Sequence, residues 1–320
     1  MQATDVKFYR SKAITDSAEN GGHIDLNAEI ISGVKFNLFP RVSSFERTNG
    51  AVRYRKAYMA NRSTGNVPLF DVAIALTVPS KGGDRFYIKP ATSHAQTAEQ
   101  LDENGWTGGG RLNAPITAGD SSLQILFEHN DFEIAEGSLV LVKNEAGKMF
   151  TSSVVGNASW SGNVATVALG SQAPENFATT DTCAGICVKL GDIGASYENV
   201  EVTSSAGVFD SLSLLVNNLG TVEDDWTITF VSPSAFNVSG AVTGNLPAGS
   251  ISSYYQAMNT SAGDFYFSIS FMSWGGSWQV GDTLTFSTRA ASKGFWLKEV
   301  IPAGTEREAD NSIRLDWIAD

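Results

Sequence analysis

Histidine and cysteine are nearly missing from this chain: 320 residues hold three histidines and two cysteines. His23, His94 and His129 lie far from one another in sequence and far from Cys183 and Cys187. Two thiols cannot complete a four-ligand zinc site. On a strand, residues four apart are separated by about 13 Å, at about 3.3 Å of rise per residue. That is too far for a disulfide unless Gly185 folds the segment into a turn, so two buried, inert thiols are expected. Long apolar runs are missing too. No window approaches the roughly 20 apolar residues needed to cross a bilayer, and the opening Met1-Gln-Ala-Thr-Asp-Val-Lys-Phe8 has no apolar core of a signal peptide. A soluble chain made in the cytoplasm, with no membrane insertion, is the expectation.

Catalytic signatures are also scarce. Nucleophilic hydrolysis needs a Ser or Cys beside a His that a carboxylate orients, and no Gly-x-Ser-x-Gly occurs. Asn104-Gly-Trp-Thr-Gly-Gly-Gly110 lacks the Gly-Lys-Ser/Thr ending of a phosphate loop. Asp120, Glu223-Asp-Asp225 and Asp264 lack the spacing of a calcium loop. His129, in Phe127-Glu-His-Asn-Asp131, has acids on both sides and is the best single candidate for a metal or acid–base role; otherwise it is an exposed loop histidine. Glycoside hydrolysis needs only two carboxylates, but no pair among the 34 acids stands out, and Asp102-Glu103 and Asp224-Asp225 read as solvated turns. No catalytic residue, cofactor or metal site is assigned. No histidine–carboxylate cluster is expected, and a polysaccharide- or wall-degrading enzyme is the weakest reading.

Basic residues are too few for nucleic acid. The net charge of −12 opposes a phosphate-binding surface. The shortage is local, however: residues 1–62 hold ten Lys or Arg against six acids, while the remainder holds twelve against 28. A basic arm on an acidic body fits the acidic surface of a neighbouring copy, or reflects uneven solvation.

What the chain does have is alternation. Trp226-Thr-Ile-Thr-Phe230, Phe265-Tyr-Phe-Ser-Ile-Ser-Phe271 and Thr283-Leu-Thr-Phe-Ser-Thr288 place apolar residues two apart, the period of a half-buried strand. An all-β fold follows, in three units. Residues 1–98 read as an extended arm and a β-sandwich, with strands at Val52–Met59, Val72–Val78 and Arg85–Lys89. A Gly-rich linker covers 99–110. Five short strands in 111–195 favour a small β-barrel-like unit, because closure removes edges. Residues 196–304 read as a second β-sandwich, and 305–320 as a tail whose Ile313–Ile318 supplies a strand to this chain or to a neighbour.

A resemblance follows from segments spread along the chain. They are Lys7-Phe-Tyr-Arg-Ser-Lys12 with Asn20-Gly-Gly22, Ser32-Gly-Val34, Phe39-Pro40, Glu46-Arg47, Tyr54-Arg-Lys56, Trp106-Thr-Gly-Gly-Gly110, Trp226–Phe230, Gly281–Phe286 and Val300-Ile-Pro-Ala-Gly304. In this order they resemble a family of structural proteins from the tail and baseplate gene blocks of tailed bacteriophages, including Mu-like phages and prophages. The resemblance implies a virion component of the tail, at the baseplate, tail tip or neck, whose partners are other copies of itself and other tail or baseplate proteins. It brings no catalytic residues. The candidate contacts between subunits are Phe8, Tyr9, Arg10, Phe36, Leu38, Phe39 and Arg41, on an arm expected to dock on a neighbour. The alternative is a host-surface glycan receptor, in which Trp274 and Trp278 of Trp274-Gly-Gly-Ser-Trp278 stack on sugar rings. Equally, these two tryptophans close one end of a sandwich core.

Overall fold

The alternating segments become short antiparallel strands in the computed structural model, which describes residues 2–320. The first five are β1 (Val6–Ala13), β2 (Gly21–Glu29), β3 (Ala51–Asn61), β4 (Leu69–Val78) and β5 (Arg85–Pro90). Next come β6 (Gly109–Leu112), β7 (Ser122–Leu126), β8 (Leu139–Asn144), β9 (Met149–Ser153), β10 (Ser159–Ser161), β11 (Val164–Ala168) and β12 (Thr182–Ile186), followed by β13 (Val188–Ile193). The C-terminal third holds β14 (Ser196–Thr203), β15 (Gly207–Phe209), β16 (Leu214–Leu215), β17 (Asp224–Phe230), β18 (Ala235–Gly240) and β19 (Gly244–Ser250). It continues with β20 (Tyr255–Asn259), β21 (Asp264–Ile269), β22 (Trp274–Gly276) and β23 (Thr283–Arg289). Last are β24 (Ser292–Ile301) and β25 (Arg314–Ile318). The expected all-β class holds; one short helix, α1 (Ser44–Asn49), interrupts it.

The first body is a β-sandwich, but not of the expected residues. Its wider sheet runs β2-β1-β3-β24-β5 and its narrower sheet β13-β4-β25. Between them lie Met59, Val72, Ile74, Ile88, Phe295 and Leu297. β24 enters between β3 and β5, in register from Ser292 opposite Ala60 to Ile301 opposite Ala51. The boundaries read from sequence therefore move. Unit 1–98 is incomplete without β13, β24 and β25, unit 196–304 gives up its last strand, and 305–320 is part of the first sandwich. The reason is physical: a period of two fixes which face of a strand is buried, and leaves its partner unspecified.

The middle body is a seven-stranded sheet, β10-β11-β7-β6-β12-β8-β9. It curls until Val155 N donates to Ala168 O at 3.0 Å and Gly170 N to Ser153 O at 2.8 Å, yet it stays open rather than closing as a barrel. The glycine run expected to be a linker is largely strand β6. An ideal Cβ on Gly109 would sit 1.8 Å from Leu76 O, and one on Gly185 of β12 2.2 Å from it. The backbones of β6 and β12 thus press directly on β4, which only glycine permits. At Cys187 the chain leaves the middle sheet for the first sandwich, splitting what reads as one strand from Gly185 to Leu190. Both cysteines are free, and burial raises both thiol pKa values, that of Cys187 to about 12. Cys183 is buried and Cys187 half-buried, and the raised pKa values disfavour the reactive thiolate.

The third body packs β14-β23-β17-β18-β19 against β16-β21-β20 around Trp226, Phe230, Phe236, Phe267, Phe286 and Trp278.

The contact of glycine strands with β4 is directly testable. Gly109→Ala forces backbone apart and should cost about 3 kcal/mol or more. Gly147→Ala, at a turn with φ of 86° and open space around it, should cost only about 1–2 kcal/mol of left-handed strain. Denaturant unfolding of the two variants checks the ranking, and equal losses would contradict the close packing.

Candidate assembly surface

Between β2 and α1 the chain forms an irregular strap over residues 30–42. Gly33 turns it, with φ of 81°, and Asn37 Nδ2 donates to Ile31 O at 2.7 Å. Pro40 removes a donor and ends it. The helix that follows is fixed by a capping box: Ser43 Oγ accepts from Glu46 N at 3.2 Å, and Glu46 Oε2 accepts from Ser43 N at 2.6 Å. A second strap, 302–313, leads from β24 to β25. Gly304 N donates to Arg47 O at 2.7 Å, and Lys35 pairs with Asp310 at 2.8 Å, so the straps meet. The wider sheet overhangs the narrower, and the straps cover the overhang. Beneath them is a cleft of about 780 Å³, floored by Phe8, Phe86, Phe295 and Leu297 and walled by Phe36, Leu38, Phe39 and Arg41. Phe39 meets Phe86 edge to face at 5.5 Å.

The floor also carries charge. Arg53 Nε donates to Glu299 Oε2 at 2.8 Å, and Arg53 Nη1 lies 3.4 Å from Glu46 Oε1. Asp84 accepts from Ser80 Oγ and, at 2.9 Å, from Asn311 Nδ2 of the second strap. Arg53, Asp84 and Glu299 are all buried. Burial pushes the Glu299 carboxyl up to about 7; Arg53 opposes this and Asp84 adds to it. One guanidinium cannot compensate two buried carboxylates, which favours the protonated form of Glu299. This cluster ties α1 and the second strap to the sheet.

Several expected contact residues converge here and others do not. Phe8, Phe36, Leu38, Phe39 and Arg41 line the cleft. Tyr9 points the other way, into a small core with Tyr58 and Ala60, and Arg10 is not part of the cleft. The arm is not free: β1 pairs with β2 and β3 of its own chain, and Phe8 meets Phe295 at 6.1 Å. The arm expected to dock on a neighbour is, over residues 6–29, two strands of its own sheet. Only the strap stands outside.

Trp278 is core and Trp274 is half-buried against it. Trp278 is 3% exposed and stacks on Phe230 at 4.3 Å, and Trp274 meets both rings edge to face. Phe230 covers the Trp278 face that a sugar would need. Exposed instead are Leu212, Phe271 and Met272, on two 3-10 turns capped by the Asp210 and Ser270 side chains. Sequence reasoning missed these, although Asp and Ser ahead of short apolar pairs are capping signals.

Histidines do meet carboxylates, contrary to expectation. His129 Nδ1 lies 2.7 Å from Asp131 Oδ1, in a geometry too bent for a hydrogen bond, and Tyr87 donates to the same carboxylate at 2.7 Å. His129 is buried, not an exposed loop residue, and burial holds its pKa down. His94, from the first body, approaches Glu223 of the third at 4.0 Å while its Nε2 contacts Ser292 O at 2.8 Å. The first encounter is local, within Phe127–Asp131, while long-range folding made the second, of which local sequence carried no signal. Among the described residues, no group of three or more His, Cys, Asp or Glu could hold a metal ion. No helix among them is long and apolar enough to cross a membrane.

No known protein family matches the chain, and no curated protein matches it.

The buried carboxyl gives a pH signature. Because the folded pKa of Glu299 lies above the ordinary 4.5, the native state keeps a proton that the unfolded chain releases. Its contribution to stability is complete below about pH 4.5 and is lost as pH rises through about 7. The histidines, whose pKa values burial lowers, contribute with the opposite sign below about pH 6.5, so the Glu299 effect is read as a difference: in urea unfolding across pH 5–8, Glu299→Gln, which keeps the neutral shape, should gain stability relative to the parent as pH rises. A difference that does not change with pH would place the proton elsewhere.

Proposed function

We propose that this protein is a structural component of a tailed-phage virion, at the baseplate or tail tip, and that it assembles through the 31–45 strap region and the cleft behind it. One observation carries the reading. Within fifteen residues, Ile31, Val34, Phe36 and Phe45 are 58%, 52%, 63% and 75% exposed. Isolated exposed apolar residues are ordinary, but a group on one segment marks a contact surface. Phe36 moreover has φ of 61°, a left-handed conformation that costs about 1–2 kcal/mol for a bulky residue. Strain in an exposed aromatic is retained where the side chain has a task.

Charge supports a partner of the same kind. Lys35, Arg41 and Arg47 flank the apolar group. Residues 196–289, the third body, hold eight acids and a single base, Arg289, which Glu198 and Glu223 already bind. Lys35 is already paired with Asp310, but Arg41 and Arg47 beside the apolar strap and an acidic body on each copy are complementary, and steer copies together before the apolar contact forms. The resemblance to phage tail and baseplate proteins supplies the setting, the assembled tail. The reading as a glycan receptor loses support, because Trp278 is in the core and Trp274 is half-buried against it.

Replacing Phe36 with Asn and Phe45 with Ser should leave the fold intact, or more stable by about 1 kcal/mol as Phe36 strain is removed. Incorporation into particles should fall at least tenfold, read by quantitative blotting of purified virions. Normal incorporation of this stable variant would defeat the proposal.

A further inference from the structure

We infer that residues 302–320 are exchanged between copies of this chain, β25 of one copy completing the narrow sheet of the next; this rests on the assembly reading above. The slot that β25 fills is obligatory. β4 is buried from Val72 to Leu76, and on one edge its backbone pairs only with β25, with Leu315 opposite Leu76, Trp317 opposite Ile74 and Ile318 opposite Ala73. An empty slot would leave that edge and its apolar face open. The slot is also selective. The Asp316 carboxylate takes Lys143 Nζ of β8 at 2.5 Å, Arg314 Nε at 2.8 Å, and the Thr77 hydroxyl of β4.

The segment that carries the occupant to its slot, by contrast, is loosely tied to its own chain. All five residues of β25 are only half-buried. Residues 306–312 are exposed and carry no regular structure. Besides Asn311, this stretch is held by the Lys35–Asp310 pair, whose side chains are 66% and 84% exposed, and such pairs hold little. The strap also leaves the cleft beneath it open instead of settling on the apolar floor. Extended, the twelve residues 302–313 reach about 40 Å, enough to span to a neighbour.

A second copy is the one partner certain to fit. Its β4 edge, its Thr77 and its Lys143 are the same slot, so exchange repeats every contact made within one chain and adds those between the straps. Passed head to tail, the strand joins copies into a ring wherever the rotation closes. The strap of each copy then lies over its neighbour's cleft, beside the exposed Phe36.

A paired cysteine reads which chain fills the slot. Asp320 N donates to Phe70 O at 3.0 Å, and both side chains are exposed, so Phe70→Cys with Asp320→Cys places two thiols at the slot without disturbing the core. Ala73→Cys with Ile318→Cys, a register pair, is the second variant should the first not oxidise. Full-length protein is oxidised at the concentration where it is oligomeric, and again within purified particles, then run on non-reducing gels. Exchange predicts a ladder of covalent dimers and higher species, with most chains cross-linked to another. Monomers carrying an internal disulfide, in both preparations and in both variants, would overturn it. If those monomers are nonetheless present in particles, exchange fails while the assembly reading stands; a ladder from protein that never enters particles would show the opposite.

Discussion

A strand in the middle of a sheet must be hydrogen-bonded on both edges, and β24 meets that demand only by returning from far along the chain to enter the first sandwich. It sits between β3 and β5, with Phe295 and Leu297 facing the sandwich core and Trp296 facing Tyr87 and Trp106 on the other side. Nothing in residues 1–98 fills that place. The first body can close only after the middle and third bodies have been made and the chain has returned, so both are insertions into the first. Their exits are short: Cys187 between β12 and β13, and Gly194-Ala195 and Ala290-Ala291 on either side of the third body. Such brief connections hold the inserted bodies close, and polar contacts fix them. Arg62 Nη1 reaches Leu219 O at 2.7 Å, and Asn218 Nδ2 reaches Ser63 Oγ at 3.0 Å.

The same demand explains a cation in the interior. Lys56, on β3, is fully buried, and its three ammonium protons meet the carbonyls of Ser93, His94 and Gln96 at 2.9, 2.7 and 3.0 Å. In the loop after β5, β2 pairs only the Gln96 carbonyl, through Gly22 N at 3.0 Å, and the lysine gathers all three. Burial pushes its pKa down to about 7, but three matched acceptors favour the charged form, and the geometry is that of an ammonium. Tyr58 OH joins the same knot at the His94 carbonyl, 2.7 Å away. The buried cluster of Arg53, Glu299 and Asp84 plays the corresponding part under the straps. Neither is arranged around an open reactive atom; each spends its polar capacity on holding irregular chain to a sheet.

How much of this was legible in the sequence follows from what each signal specifies. Alternation located Val52–Met59, Val72–Val78, Trp226–Phe230 and Thr283–Thr288 as strands, and they are strands, because a buried face imposes its period locally. Pairing is not local, so the assignment of β13, β24 and β25 to the first sandwich was invisible. Glycine is ambiguous on its own. Gly109 and Gly185 look like flexibility and serve close approach, a distinction that only the facing backbone of Leu76 decides. The strap residues Phe36, Leu38, Phe39 and Arg41 were found from apolar and basic residues in one segment, and they share the cleft with Phe8. Tyr9 and Arg10 were placed there by proximity in sequence, and the pleat turned Tyr9 away. For Trp274 and Trp278, glycine spacing alone could not separate a platform from a core.

Exposed apolar surface marks the straps, as it marks the turns that carry Leu212, Phe271 and Met272. A chain with 42% hydrophobic residues has three cores in which to place them, and Trp226, Phe230, Phe267 and Trp296 show that large side chains are packed efficiently where packing is available. Ile30, Leu38 and Phe39 of the first strap pack on the sandwich core, and Val34 and Phe36 between them do not. A fold that satisfies its buried lysine with three carbonyls, yet leaves a phenylalanine in a left-handed conformation and 63% exposed, closes its interior and leaves apolar surface at the straps. On the proposed reading, a neighbouring copy covers that surface.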